Sequence, residues 1–266
     1  MFEEEKAIAE ISAKFLPRLK VEKNVWKIDA EGLHYRELNS LLRAISRNGA
    51  ERIEVHNVCG QRYVGTDLDE AIQIDIYGTP GNDLGAFMNG PTIVVHGNAQ
   101  DGCGNTMNEG QIIVHGNAGD ITGHSMRGGK IFVRGNVGYR VGIHMKEFQN
   151  KTPQLVIGGT AQDFLGEYMA GGVILILGLD LQEGEFCKAR FVGTGMHGGV
   201  IYERGNILKP SKETSVMQVG KRDLRVIESL VKEFCGHFGA DYNAIMNAKF
   251  HKIVPVSKRP YGKLYS

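Results

Sequence analysis

From about residue 71 the chain alternates short apolar runs with glycine-bounded polar stretches at a fixed interval. Ile93-Val94-Val95, Ile112-Ile113-Val114 and Ile131-Phe132-Val133 each lead through one polar residue into Gly-Asn, and they start 19 residues apart. Gly78, Gly97, Gly116 and Gly135 keep that interval, as do Met88, Met107, Met126 and Met145, and Gly85, Gly104, Gly123 and Gly142. The spacing loosens after Lys146, but Gly166-x-x-Met169 and Gly193-x-x-Met196 restore the Gly-x-x-Met step. A fixed period of about 20 to 50 residues marks stacked units that cannot bury a core singly.

The pattern predicts a mainly β protein: a right-handed parallel β-helix with one strand and about 19 residues per coil. Leucine-rich repeats need a Leu framework, helical repeats need about 30 residues or more, and propeller blades need about 40. Glycine supplies the positive φ of a tight corner, and β-branched residues suit a pleated face. Stacking turns sequence columns into spatial ones. Ile74, Ile93, Ile112 and Ile131 are expected inside with Ile76, Val95, Val114 and Val133, and the Met88–Met145 column fills gaps there. Val94, Ile113, Phe132, Val156 and Leu175 have the opposite parity and form an outward apolar strip. Such a strip needs cover. An amphipathic helix, with Leu224, Ile227, Leu230, Val231 and Phe234 on one stripe, is expected to provide it, with a partner subunit as the other candidate.

Three segments follow. Residues 1–70 form an α/β cap, with a strand at Trp26-Lys27-Ile28, a helix over Tyr35–Arg47 closed by Gly49, and a strand at Ile53-Glu54-Val55. Residues 71–205 are the β-helix, and residues 206–266 hold the amphipathic helix and a basic tail, Lys252–Ser266, expected to lie extended on the surface or on a partner.

Composition narrows the function classes. A net charge of +1 gives no reason to expect nucleic acid or an anionic membrane. The 36 glycines belong to the repeat, so they do not signal a linker. No run approaches the roughly 18 apolar residues of a membrane span, and Met1-Phe2-Glu3-Glu4-Glu5-Lys6 is no signal peptide, which leads to a cytoplasmic expectation. Cys59, Cys103, Cys187 and Cys235 are far apart, without C-x-x-C, and are expected as free, mostly buried thiols, not metal or cluster ligands.

The candidate chemistry reads as structure. His96 and His115 share a column, but Tyr77 and Arg134 continue it, so no ligand pattern repeats. Asn98, Asn117 and Asn136 are expected to form an amide ladder, side chain to side chain. Gly78-Thr79-Pro80-Gly81 and Gly116-Asn117-Ala118-Gly119 lack the helix start or Gly-Lys-Ser/Thr of a phosphate loop. Cys103, Asp120 and His124 carry no spacing that marks a base beside a nucleophile, and Cys103 shares a column with apolar residues. Asp163 and Glu167 offer a carboxylate pair without the acid- and aromatic-rich groove of a polysaccharide-cleaving β-helix. No catalytic, cofactor-binding or metal residue is assigned.

The repeated Gly-x-x-x-x-x-x-Gly-x-x-Met step, with Gly97–Gly104, Gly159–Gly166, Met169-Ala170-Gly171-Gly172-Val173-Ile174 and Met196-His197-Gly198-Gly199-Val200-Ile201, resembles the Gly-rich β-helix domain at the C-terminal end of the glutamate synthase large subunit. The related scaffold subunit of formylmethanofuran dehydrogenase shares the motif. Ile28–Asn39 and Asn57–Gly65 look like the stand-alone form of the glutamate synthase domain. The resemblance implies a non-catalytic structural subunit of a split glutamate synthase, scaffolding an amidotransferase chain and an FMN/iron–sulfur chain and helping to enclose ammonia transfer. FMN and iron–sulfur clusters would then belong to the partners and none to this chain; a homo-oligomer stays open. The alternative on the same fold is the scaffold subunit of formylmethanofuran dehydrogenase or a related amidotransferase-linked oxidoreductase. An autonomous β-helix binding module, or a polysaccharide-cleaving enzyme, stands outside both.

Overall fold

The computed structural model describes residues 13–182 and 184–257. Parallel strands stack one per coil: β3 (Arg52–Cys59), β4 (Gln73–Thr79), β5 (Asn89–Val95), β6 (Glu109–Val114), β7 (Lys130–Val133), β8 (Gln154–Ile157), β9 (Ala170–Ile176) and β10 (Gly198–Arg204). The register runs Ile53, Ile74, Ile93, Ile112, Ile131, Leu155, Ile174, Ile201, with Val55, Ile76, Val95, Val114, Val133, Ile157, Ile176 two residues on. Both columns are buried, as are Met88, Met107, Met126, Met145, Met169 and Met196. The fold is the parallel β-solenoid that the periodicity predicts.

The sheet continues past both ends of the repeat. At the N-terminal end a 3-10 turn, Ala13–Arg18, leads into a hairpin of β1 (Leu19–Glu22) and β2 (Val25–Asp29). Lys23 and Asn24 both have positive φ at its two-residue turn, as a turn matched to strand twist requires. β2 then pairs in parallel with β3, so the columns cross residue 70 without a break. Helix α1 (Tyr35–Arg47) buries Leu38, Leu41, Leu42 and Ile45 in the same core as Ile28 and Ile53. Glu37 accepts from the His34 N–H at its start, and Gly49 (φ 84°) follows its C-cap.

At the other end the chain reverses the sheet. β11 (Thr214–Gln218) and β12 (Phe250–Pro255) give the order β10-β12-β11, with β12 antiparallel to both neighbours. This corrects the expectation of an extended surface tail at Lys252–Ser257; Lys258–Ser266 lie outside the described residues. Between these strands run α2 (Lys221–Phe238) and the short α3 (Tyr242–Met246). α2 covers the outward strip from Phe132 onward: Ile227, Leu230, Val231 and Phe234 pack with Phe132, Val156, Leu175 and Tyr202, while Ile113 lies outside this cluster and Val94 stays half-buried. Of the expected stripe, Leu224 alone remains exposed. Lys130 Nζ meets the Glu233 carboxylate at 2.6 Å and fixes the far end of the helix. No helix among the described residues is long and apolar enough to cross a membrane.

Candidate functional site

The polar columns tie one coil to the next. Asn98 Oδ1 accepts the N–H of Asn117 at 2.8 Å, Asn117 Oδ1 that of Asn136 at 2.7 Å, and Asn136 Oδ1 that of Thr160 at 2.6 Å. The ladder therefore pairs side chain with backbone, not side chain with side chain. The reason is a supply of donors: a corner N–H of the next coil has no strand partner, and a backbone donor in a packed stack needs an acceptor. A second ladder, not read from the sequence, uses carboxylates. Asp101, Asp120 and Asp163 accept from the N–H groups of Asp120, Tyr139 and Arg190 at 2.9 Å.

The other candidates are placed with equal clarity. Cys103 is fully buried, and burial pushes its thiol up to about 12, the wrong direction for a nucleophile. Asp120 is engaged in its ladder, and the His124 ring lies 6.2 Å from that of His144. The Arg190 guanidinium holds the Asp163 carboxyl below its usual range, and Glu167 pairs with Arg140 at 3.5 Å. His96 and His115 stack at 5.4 Å in a longer column of rings: His56, Tyr77, His96, His115, with Phe238 of α2 edge-on at its end. His96 Nε2 lies 3.0 Å from Oδ1 of buried Asp75, which also receives Arg52 and Gln73. No metal-ligating cluster occurs among the described residues. Of the thiols, Cys103 and Cys187 are buried, Cys235 is half-buried and Cys59 is exposed, fewer in the core than expected.

Two concave features stand out among the described residues. An open pocket of about 270 Å³ is lined by Asp67, Asp69, Phe87, Asn89, Asn108, Arg127, Phe148, Gln149 and Lys151. It owes its wall to an interruption: Ile131 to Leu155 spans 24 residues, where the regular coils take 19. The extra residues form a tight loop, bridged between Phe148 and Lys151, that folds back over earlier coils. Lys151 Nζ reaches Glu109 at 2.6 Å and Asn89 at 3.4 Å. The second is a groove of about 460 Å³ beside the edge strand β11, between Val216, Met217, Leu224, Met246 and Phe250. The spacing marked the interruption; where the loop folds could not be read locally.

Known proteins bear on this arrangement. A model of the GXGXG motif family matches residues 36–257. An uncharacterized protein of Methanocaldococcus jannaschii, MJ1350, is 49% identical over 249 residues, 90% of this chain and 95% of that protein. A chain in the crystal structure of the formyltransferase/hydrolase complex FhcABCD from Methylorubrum extorquens, bound to methylofuran, is similar in fold, with a TM-score of 0.59. The similarity covers 77% of this chain and 78% of that one at 18% identity.

Proposed function

This chain belongs to the GXGXG motif family, and from that membership we propose that it is a structural subunit, without catalytic residues of its own, of a multi-subunit enzyme complex. One observation carries the reading: the corner amides of Asn98 and Asn117 and the carboxylates of Asp101 and Asp120 are engaged in holding successive coils together, not gathered around a cleft. A stack joined this way fixes the separation of whatever docks on its two ends.

The formyltransferase complex that contains the fold neighbour supports partner chains of a formylmethanofuran-dehydrogenase-like assembly. A specific feature favours a second reading. Tyr35-Arg36-Glu37-Leu38-Asn39 sits on α1, against the first coil, and resembles the stand-alone glutamate synthase domain. In that reading the partners are an amidotransferase and an FMN/iron–sulfur synthase chain, and the redox cofactors are theirs. A cytoplasmic location belongs to both proposals.

The test is an affinity pull-down of the tagged chain from its native host, with co-purifying proteins identified by mass. Formyl-transferring or formylmethanofuran dehydrogenase chains in stoichiometric amount support the first reading. An amidotransferase with a flavin/iron–sulfur chain supports the second, and no stoichiometric partner overturns both.

A further inference from the structure

The loop that interrupts the repeat makes a place where charged side chains of several coils face a shared space. Asp69, Asn89, Asn108 and Arg127 follow Leu68, Met88, Met107 and Met126, so they occupy one column along the stack. The backbone confirms it: the N–H groups of Asn89, Asn108 and Arg127 bond to Leu68, Met88 and Met107 of the coil before. With strands about 4.8 Å apart, the column runs roughly 14 Å from carboxylate, through two amides, to guanidinium. Asp67 adds a second carboxylate at the acidic end.

The basic end is short of partners. Arg127 Nε is withdrawn from solvent and has no hydrogen-bond acceptor in the protein, and Arg127 makes no ion pair with any described residue. A buried guanidinium donor is a group that proteins normally satisfy. Lys151 stands beside it, already bonded to Glu109 and Asn89, and supplies positive potential without competing as a donor for the same acceptor. Phe87 and Phe148 line the pocket half-exposed, at 50% and 46%, and neither ring stacks on another ring of the described residues. Interruptions of a repeat emerge as loops on one face, often the binding face.

We propose that this pocket binds a dipolar ligand of dipeptide size, its carboxylate held by Arg127 and its amine by Asp67 and Asp69. Two extended residues span about 7 Å, and the side chains of Arg127 and Asp69 at the two ends have the length to bridge the rest. Asn89 Oδ1 already accepts from Lys151 and Asn108 Nδ2 donates to the Phe87 carbonyl, so Asn89 Nδ2 and Asn108 Oδ1 are the atoms that match the peptide group between the charges, and the two phenyl rings receive an apolar side chain. The bidentate fork of arginine suits a carboxylate. The volume of about 270 Å³ lies at the small end of ligand pockets and admits little more.

The probe is glycyl-phenylalanine, titrated calorimetrically into the full-length chain, with its C-terminal amide and its N-acetyl form as controls. Saturable binding is expected for the free dipeptide, weakened at least about tenfold by either block and by Arg127→Gln or Asp69→Asn. Phe148→Ala, on the inserted loop and far from the solenoid core, is expected to weaken it as well while circular dichroism stays unchanged. Absence of saturable binding by folded wild-type chain overturns the proposal. So does equal binding of either blocked peptide, or competition by inorganic phosphate, which would reveal an anion site alone. The titration needs no partner, so its failure leaves the scaffold reading standing, and a failed pull-down leaves this site standing.

Discussion

At the scale of single residues, each coil turns its corner through left-handed conformations, and not all of them are glycine. Ile121 (φ 50°), Gly123 (φ 73°) and Ser125 (φ 52°) alternate along one corner, and Tyr63, Phe87, Arg140, His144, Phe164, Tyr168 and Phe191 take the same conformation in other coils. A left-handed L-residue costs roughly 1–2 kcal/mol, most for a β-branched side chain. Ile121→Gly is therefore expected to stabilise by up to about 1 kcal/mol in urea unfolding, against the usual sign of a glycine substitution. Gly123→Ala two residues on should do the reverse, because its Cβ would lie 2.8 Å from Leu155 Cδ1; a loss of about 2 kcal/mol is expected. The glycine corners were legible as glycines. The left-handed Phe and Ile were not, since propensity argues against them and only the stack imposes them.

Glu203 is the residue whose charge conflicts with its place. Its register partner is Ile176, so it points into the last coil, where the earlier strands put Val133 and Ile157. Burial raises its carboxyl to about 7, and Oε1 finds no partner. A folded-state value above the unfolded 4.5 means that the native state holds the proton longer. Stability is therefore fully present below about pH 4.5 and declines as pH rises through about 7. The loss at pH 8 is on the order of 3 kcal/mol. Glu203→Gln should raise the melting temperature at pH 8 and change it little at pH 5. An equal shift at both values would place the carboxyl in water.

At the scale of elements, α2 is held by packing. Phe234→Ala is expected to cost about 4 kcal/mol by equilibrium unfolding, because the ring fills the space between Phe132 and Phe238 over the strip. This helix and its target were legible because both carry a strict period, one of 3.6 and one of 2. The pairing of β12 between β10 and β11 was not. Phe250-His251-Lys252-Ile253-Val254-Pro255 has no clean alternation, and its partners lie 33 or more residues away in sequence (Gln218 to His251), where local pattern is silent. The same limit hid the pocket. Phe148 and Lys151 meet Asn89 by folding back over the intervening coils, and no interval in the sequence records that.

At the scale of the whole molecule, each coil touches chiefly its neighbours, so stability should be graded along the stack. Duplicating residues 92–110, one coil ahead of the segment α2 covers, is expected to give a folded chain with its circular dichroism shape retained. Scattering should show it longer by about 5 Å. The same duplication separates Asn89 from Arg127 by an extra coil, so it should abolish dipeptide binding while leaving the fold intact.

The hydrogen-bonded columns have one more consequence. Because every Asn and Asp rung closes on the backbone of the coil above, the distance between the α1 end and the β12 end changes only in whole steps. A substitution cannot lengthen the stack by a fraction of a rung; an insertion either adds a complete coil or bulges sideways, as residues 146–153 do. The protein is a ruler with discrete graduations about 4.8 Å apart, and partners that must keep two reaction centres in step can vary their spacing only in that unit.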